Sequence, residues 1–300
     1  MDQKQQQKIH FVTGKGGVGK SFFAAALAQS FGLSYQKDKK DDNAPILLAE
    51  ICDLSFYKEY LNVPQIGFKP VKSAYYDLSQ WTAQDCLKEY ALHLIKIESL
   101  FKLFFENPIS KALIDVSPGL NELAILGKAT SHPRKHGPPL NYHQIVFDAP
   151  STGHFLTLFR SPKALAETIQ YGPMGEQSKG IDQWIRNAQF CEVHIVCLPE
   201  ELPITETIDL YKTIENEFGI KPTVYVNKYV DISYSDIKFE KNEVRAYFQN
   251  IIANQQKALE ALSAAQIKYQ LIPFIYETQI QTLLDMAANH LVNLKLKPAV

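Results

Sequence analysis

None of the four cysteines of this 300-residue chain stands in a C-x-x-C pair, so the spacing of a zinc ribbon or a dithiol redox centre is absent. Cys191 and Cys197 lie an even number of residues apart along an expected strand, which reads them as buried core thiols sharing one face. Charge of one sign is missing as well. Lysine and arginine total 31 against 32 aspartates and glutamates, and a net charge of −1 provides no global field to attract nucleic acid or an anionic membrane. No apolar run approaches the length that crosses a bilayer, and the polar, glutamine-rich residues 1–8 lack the apolar centre of a signal sequence. These absences argue against nucleic-acid binding and stable membrane insertion and place the chain in the cytoplasm.

What is present begins at residues 14–21, GKGGVGKS. Glycines let backbone N–H groups close around a di- or triphosphate, a lysine reaches the β and γ phosphates, and a hydroxyl meets Mg²⁺. Gly14, Gly16, Gly17, Val18, Gly19, Lys20 and Ser21 supply these parts. An apolar strand over 9–12 precedes the loop and an alanine-rich helix from 21 to 31 follows, so a helix N-terminus adds its partial positive charge. Lys15, directly after the first glycine, is not required for one subunit to cradle one nucleotide.

Strands are expected at 46–50, 73–77, 144–147, 193–198, 223–227 and 269–273, with helices at 205–218, 242–265 and 279–292. This alternation predicts an α/β fold, a doubly wound, mainly parallel sheet with helices on both faces. One domain spans 1–300, with a helical lobe inserted over 80–142. Within the lobe, Leu87, Tyr90, Ala91, Leu94, Ile97, Phe101 and Phe104 form one apolar face and Leu92, Ile95, Leu100 and Leu103 a second. A helix apolar on both sides is either packed in a core or available to a hydrophobic client. A further helix is expected at 120–129, then a Pro/Gly/His-rich loop at 131–143, whose His132 and His136 read as solvated.

The strand ending FDAPSTGH at residues 147–154 delivers Asp148 to the edge where open α/β sheets bind ligands, placing it to hold Mg²⁺ or its waters. Gly153 can bring a backbone N–H to a γ phosphate, and His154 is read equally as a nucleotide sensor or a structural residue. Residues 227–231, NKYVD, resemble a guanine-reading N-K-x-D, but Val230 occupies the aspartate's place, which favours ATP over GTP.

The loop with Lys15 resembles the deviant Walker A class of MinD, ParA, nitrogenase iron protein and the arsenite-pump ATPases. DAPSTGHFL with Arg160-Ser161-Pro162, PGLNEL at 118–123 and LPEELP at 198–203 resemble the ArsA family, most of all its single-domain bacterial "anion-transporting ATPase" branch. The resemblance implies a nucleotide-sandwich dimer, of two copies or with a paralogue, in which Lys15 reaches the partner's phosphates. It further implies that Asn227 contacts adenine and that Pro273 and Phe274 begin a loop over the ring. Phe22 completes the nucleotide set, although the family often carries a second hydroxyl there. At switch I the family's water-orienting aspartate aligns with Glu50, with Asp53 the other choice and a purely structural pair the third. The family's targeting members carry a C-x-x-C and a methionine-rich insert; this chain has neither, only three methionines in all, and no recognisable arsenite-binding cysteine trio. The expected activity is that of a Mg²⁺-dependent ATPase switch whose catalytic set is Lys15, Lys20, Glu50 and Asp148, with Ser21 and Asp148 on the metal, acting on a hydrophobic client or partner protein. A non-hydrolysing recruitment scaffold and a MinD-like membrane-cycling ATPase are the alternatives.

Overall fold

A computed structural model describes residues 7–38, 46–52, 55–61, 63, 65–95, 119–169, 171–231 and 242–294. Its strands are β1 (Lys8–Thr13), β2 (Ile46–Glu50), β3 (Val71–Lys72), β4 (Asp77–Gln80), β5 (Gln144–Asp148), β6 (Cys191–Cys197), β7 (Thr223–Tyr229) and β8 (Tyr269–Pro273). They form one sheet in the order β3-β4-β2-β5-β1-β6-β7-β8, parallel throughout except for the β3/β4 hairpin at the edge. Parallel neighbours require crossover connections, and helices supply them. The α/β, mainly parallel architecture is consistent with a P-loop NTPase fold.

Residue parity along the strands sorts the core into two layers. Val12, Leu48, Val146 and Val196 pack under α1 (Lys20–Asp38) and α10 (Ile280–Leu294). Alanines 24, 25, 26 and 28 are almost wholly buried, so α1 lies close both to the sheet and to α10. On the other face Phe11 and Phe147 stack at 5.0 Å and meet Phe155 and Phe159 of α6 (Thr152–Thr168). That layer also takes in α3 (Ala83–Ile95), α4 (Leu120–Ala129), α7 (Pro173–Ile185), α8 (Glu201–Phe218) and α9 (Asn242–Ala264). Cys191 and Cys197 face it as buried thiols, and burial pushes Cys197 up to about 12. Two short helices, α2 (Phe56–Tyr60) and α5 (Ser131–Arg134), complete the described elements.

The strand expected at 73–77 is displaced. Residues 73–76 form the bend of the β3/β4 hairpin, closed by Ser73 N–H donating to Tyr76 O at 3.1 Å. Pairing with β2 begins at Asp77 opposite Leu47, and Gln80 N–H and the Ser79 hydroxyl both bond Gly67 or Phe68 carbonyls, so tertiary partners shift the register onto 77–80. The loop expected at 131–143 opens with the helical turn α5; Pro133 sits in that first turn, where no N–H is required. Helix α8 likewise starts at Glu201, ahead of the expected 205, with Pro203 in its first turn.

Of the lobe, Ile97, Leu100, Phe101, Leu103 and Phe104 lie outside the described residues, as does Asp53. Leu92 is exposed. Leu87 and Tyr90 line a 240 Å³ apolar cavity completed by Leu120, Leu123 and Ile181. Among the described residues, no helix is long and apolar enough to cross a membrane.

Candidate functional site

Strand β1 lies between β5 and β6, and the chain leaves it toward β2 on one side but crosses from β5 to β6 on the other. The crevice at this reversal, beyond the carboxyl ends of the strands, is where such sheets bind ligands. The loop after β1 fills it. At Gly14 φ is +143°, and a Cβ would stand 2.1 Å from the Val196 carbonyl oxygen, so only glycine lets the loop turn against β6. At Gly19 φ is +92°, and a Cβ would meet the Asn227 amide at 2.7 Å. Gly16 and Gly17 are exposed at the crest and Val18 is buried beneath them.

Helix α1 begins at Lys20 with no acidic residue in its first turn, and α6 begins at Thr152 in the same way. Two helix N-termini therefore keep their partial positive charge uncancelled from within. The Lys20 ammonium donates to Lys15 O at 2.9 Å; burial pulls its pKa down, and the Asp148 carboxylate partly restores it. Ser21 and Phe22 lie in the first turn of α1, the Ser21 side chain bonded to Asp148.

Asp148 ends β5 and Glu50 ends β2 directly beside it in register. Burial pushes the Asp148 carboxyl up to about 6, against the hydrogen bonds from Ser21 and Tyr57 that favour its ionised form. Glu50 is 2% exposed; its Oε1 accepts from Phe56 N–H at 2.6 Å, and its Oε2 is buried without a hydrogen-bond partner among the described residues. A buried carboxylate oxygen left without a donor is costly, and it marks a place where water or a ligand belongs.

Tyr57 of α2 is the residue that the sequence did not disclose. Wholly buried, its hydroxyl lies 3.1 Å from Asp148 Oδ2 and 3.0 Å from Ser21 O. Burial, followed by the charge of Asp148, raises its pKa well above the ordinary phenol value, so it stays a neutral donor. No motif marks it, because a tyrosine seven residues beyond a strand reads as any aromatic.

The remaining expected residues stand as follows. Lys15 is bound in its own chain to Glu206 of α8 at 2.6 Å. Asn227 is committed to the loop, its amide donating to Val18 O at 2.9 Å and its Oδ1 accepting from Lys228 N–H at 3.0 Å. Pro273 ends the adjacent strand β8 and Phe274 follows it, its N–H donating to Tyr229 O at 2.8 Å and the residue 53% exposed. Gly153 sits in the first turn of α6, exposed and with open space where a Cβ would stand, and His154 is exposed beside it. Thr13 Oγ1 ties this segment to β1 by donating to Pro150 O at 2.9 Å. Lys20, Ser21, Glu50 and Asp148 thus form one contiguous cluster, whereas Lys15 points out of it to α8.

No protein-family model matches the chain. It is similar to the ATPase BagA of Mycobacterium tuberculosis, 27% identical over 211 residues, which are 67% of this chain and 59% of BagA. It is also similar to a Halobacterium salinarum protein named "Putative arsenical pump-driving ATPase", 24% identical over 279 residues, 86% of this chain and 40% of that protein. The chain therefore spans less than two thirds of the length of either relative.

Proposed function

We propose that this chain, distantly homologous over most of its length to BagA and to an arsenical pump-driving ATPase of the ArsA family, is itself a Mg²⁺-dependent ATP hydrolase that acts as a dimeric switch. The observation that carries the reading is the buried oxygen of Glu50, without a donor among the described residues, beside Asp148, which Ser21 and Lys20 reach from the glycine loop. The donor set suits the ligands: backbone N–H groups, a helix N-terminus and an ammonium for the phosphates, a hydroxyl and a carboxylate for a hard cation. Ser21 and Asp148 would hold Mg²⁺, which when bound supplies charge neutralisation at the β and γ phosphates.

Each protein group then has a stated task. Lys20 gives up the Lys15 carbonyl for phosphate oxygens. Glu50 orients a water and accepts its proton, its other oxygen already fixed by Phe56 N–H. Gly153 N–H, in the first turn of α6, offers a donor to the terminal phosphate, so that loss of that phosphate is felt by the helix. The base is adenine: Val230 carries no carboxylate, and its N–H and C=O are both taken by Gln255 at 2.9 and 3.1 Å. Phe274 and Tyr276, 53% and 91% exposed, offer aromatic faces for it. Lys15 leaves Glu206 to meet the partner's phosphates, and the lobe over 80–142 responds to hydrolysis and engages a partner or client.

Phosphate release at saturating ATP is the test. The wild type should turn over, while Glu50→Gln should keep ATP binding and lose on the order of 100-fold or more in rate, since an amide cannot take the proton. Near-normal turnover of Glu50→Gln removes Glu50 from catalysis and moves the role to Asp53. ATP binding without any wild-type turnover makes the chain a nucleotide-gated scaffold.

A further inference from the structure

Strand β6 is buried except at Glu192, yet only one of its faces is apolar. Cys191, Val193, Ile195 and Cys197 point to the aromatic layer, while Glu192 and His194 precede Val196 on the α1 face. Beside them on β1, His10 pairs in register with Glu192, and Gln144 of β5 completes a polar cluster toward the amino ends of the strands. The two histidines are 3% and 4% exposed, under Phe31 and beside Tyr225. Parallel strands covered on both sides ordinarily carry apolar residues here, and buried imidazoles are costly unless a partner compensates.

The cluster is shaped around a point. His10 Nδ1 lies 3.0 Å from His194 Nε2 and 3.4 Å from Glu192 Oε2, and the last two atoms are 4.0 Å apart. A position about 2 Å from all three atoms exists, which is the bond length of zinc to imidazole nitrogen and carboxylate oxygen. The surrounding groups orient two of the three ligands toward it. His10 Nε2 lies 2.7 Å from Gln144 Oε1, which places the proton on Nε2 and leaves Nδ1 as a ligand atom. Lys8 holds the other carboxylate oxygen, Glu192 Oε1, at 2.6 Å and so turns Oε2 inward. Without a cation, a proton between His10 Nδ1 and His194 Nε2 closes the 3.0 Å contact, and a bound ion would take its place.

We propose that His10, Glu192 and His194 bind one divalent ion of the zinc class, with water as fourth ligand, cross-linking β1 to β6 beneath the phosphate loop. Two imidazoles and one carboxylate favour zinc over magnesium or calcium, and the nearby Lys8 charge adds to that preference by weakening ions that depend on the carboxylate alone. The half-exposed Glu192 provides the entrance.

The test uses the untagged full chain, stripped with chelator and free of nucleotide, titrated with Zn²⁺ against a chromophoric competitor and with Co²⁺ by visible absorption. Expected are one equivalent of zinc, a four-coordinate Co²⁺ spectrum without thiolate charge transfer, and a rise in Tm on zinc addition. His10→Gln, His194→Gln and Glu192→Gln should each weaken binding at least about 100-fold, and Gln144→Leu about tenfold. Asp148→Asn should retain the equivalent, and its loss there would assign the ion to the phosphate site and overturn the proposal. So would absence of stoichiometric zinc, or undiminished affinity in Glu192→Gln, a half-exposed position whose substitution leaves the core intact. Nitrogen NMR of the histidines separates the remaining case: resonances that follow pH and ignore zinc would make this a hydrogen-bonded cluster only.

Discussion

Asp148 illustrates how one carboxylate can be legible in position and illegible in chemistry. Its place at the end of an apolar strand is written in the sequence, but its raised pKa comes from burial that only packing creates. The sign matters. Between its ordinary value of 3.8 and about 6, the folded protein keeps a proton that the unfolded chain has lost, so this group favours folding at low pH and ceases to as pH rises through about 6. A divalent cation needs the ionised form, so Mg²⁺ affinity should fall roughly tenfold per pH unit below about 6. Removing the tyrosine hydroxyl in Tyr57→Phe withdraws a bond that favours the ion, and the midpoint of that Mg²⁺ titration should move to higher pH. Calorimetric Mg²⁺ titrations of both proteins between pH 5 and 8, in the presence of nucleotide, check it; a midpoint unmoved by Tyr57→Phe would make the tyrosine a packing residue alone.

At the scale of the element, the phosphate loop divides its glycines by what each one touches. Gly14 has backbone within 2.1 Å of where a Cβ would sit and a φ of +143°, whereas Gly16 has open space and no such φ. Gly14→Ala should therefore cost about 3 kcal/mol or more through strain and displacement of β6, visible as a drop of several degrees in Tm. Gly16→Ala should stay within about 0.5 kcal/mol in stability. Equal losses in thermal melts of the two variants would show that contact with β6 does not set the loop. The same scale explains the displaced edge strand. Tyr75 and Tyr76 look like strand residues, yet the pairing of Asp77 with Leu47 decides where the ladder starts. A local pattern cannot contain that choice, because the partner strand is about thirty residues away.

For the whole molecule, Lys15 sets the question of assembly. Its ion pair with Glu206 is half-exposed, 36% and 44%, and such pairs contribute at most about 1 kcal/mol, so it is a tether that a stronger anionic partner can displace. In the proposed dimer that partner is the opposite subunit's nucleotide. Sedimentation with a non-hydrolysable ATP analogue should show wild-type chains closing into a dimer, Lys15→Ala binding the analogue but remaining open, and Glu206→Gln dimerising at up to about fivefold lower protein concentration. Closure and turnover of Lys15→Ala at wild-type levels would leave a single-subunit ATPase as the better description.

The loop over 14–21, the strand-ending carboxylates Glu50 and Asp148 and the parallel α/β architecture were determined by the sequence itself, because glycine spacing and apolar runs encode local geometry and burial directly. Only the tertiary structure decided that Tyr57 meets Asp148, that Asn227 braces the loop at Val18, that Lys15 rests on Glu206, and that His10, Glu192 and His194 converge on one point. Each of these joins chain segments between 91 and 209 positions apart, and their meeting depends on strand order and register across the sheet. Those are properties of which strands become neighbours, and no window of the sequence records them.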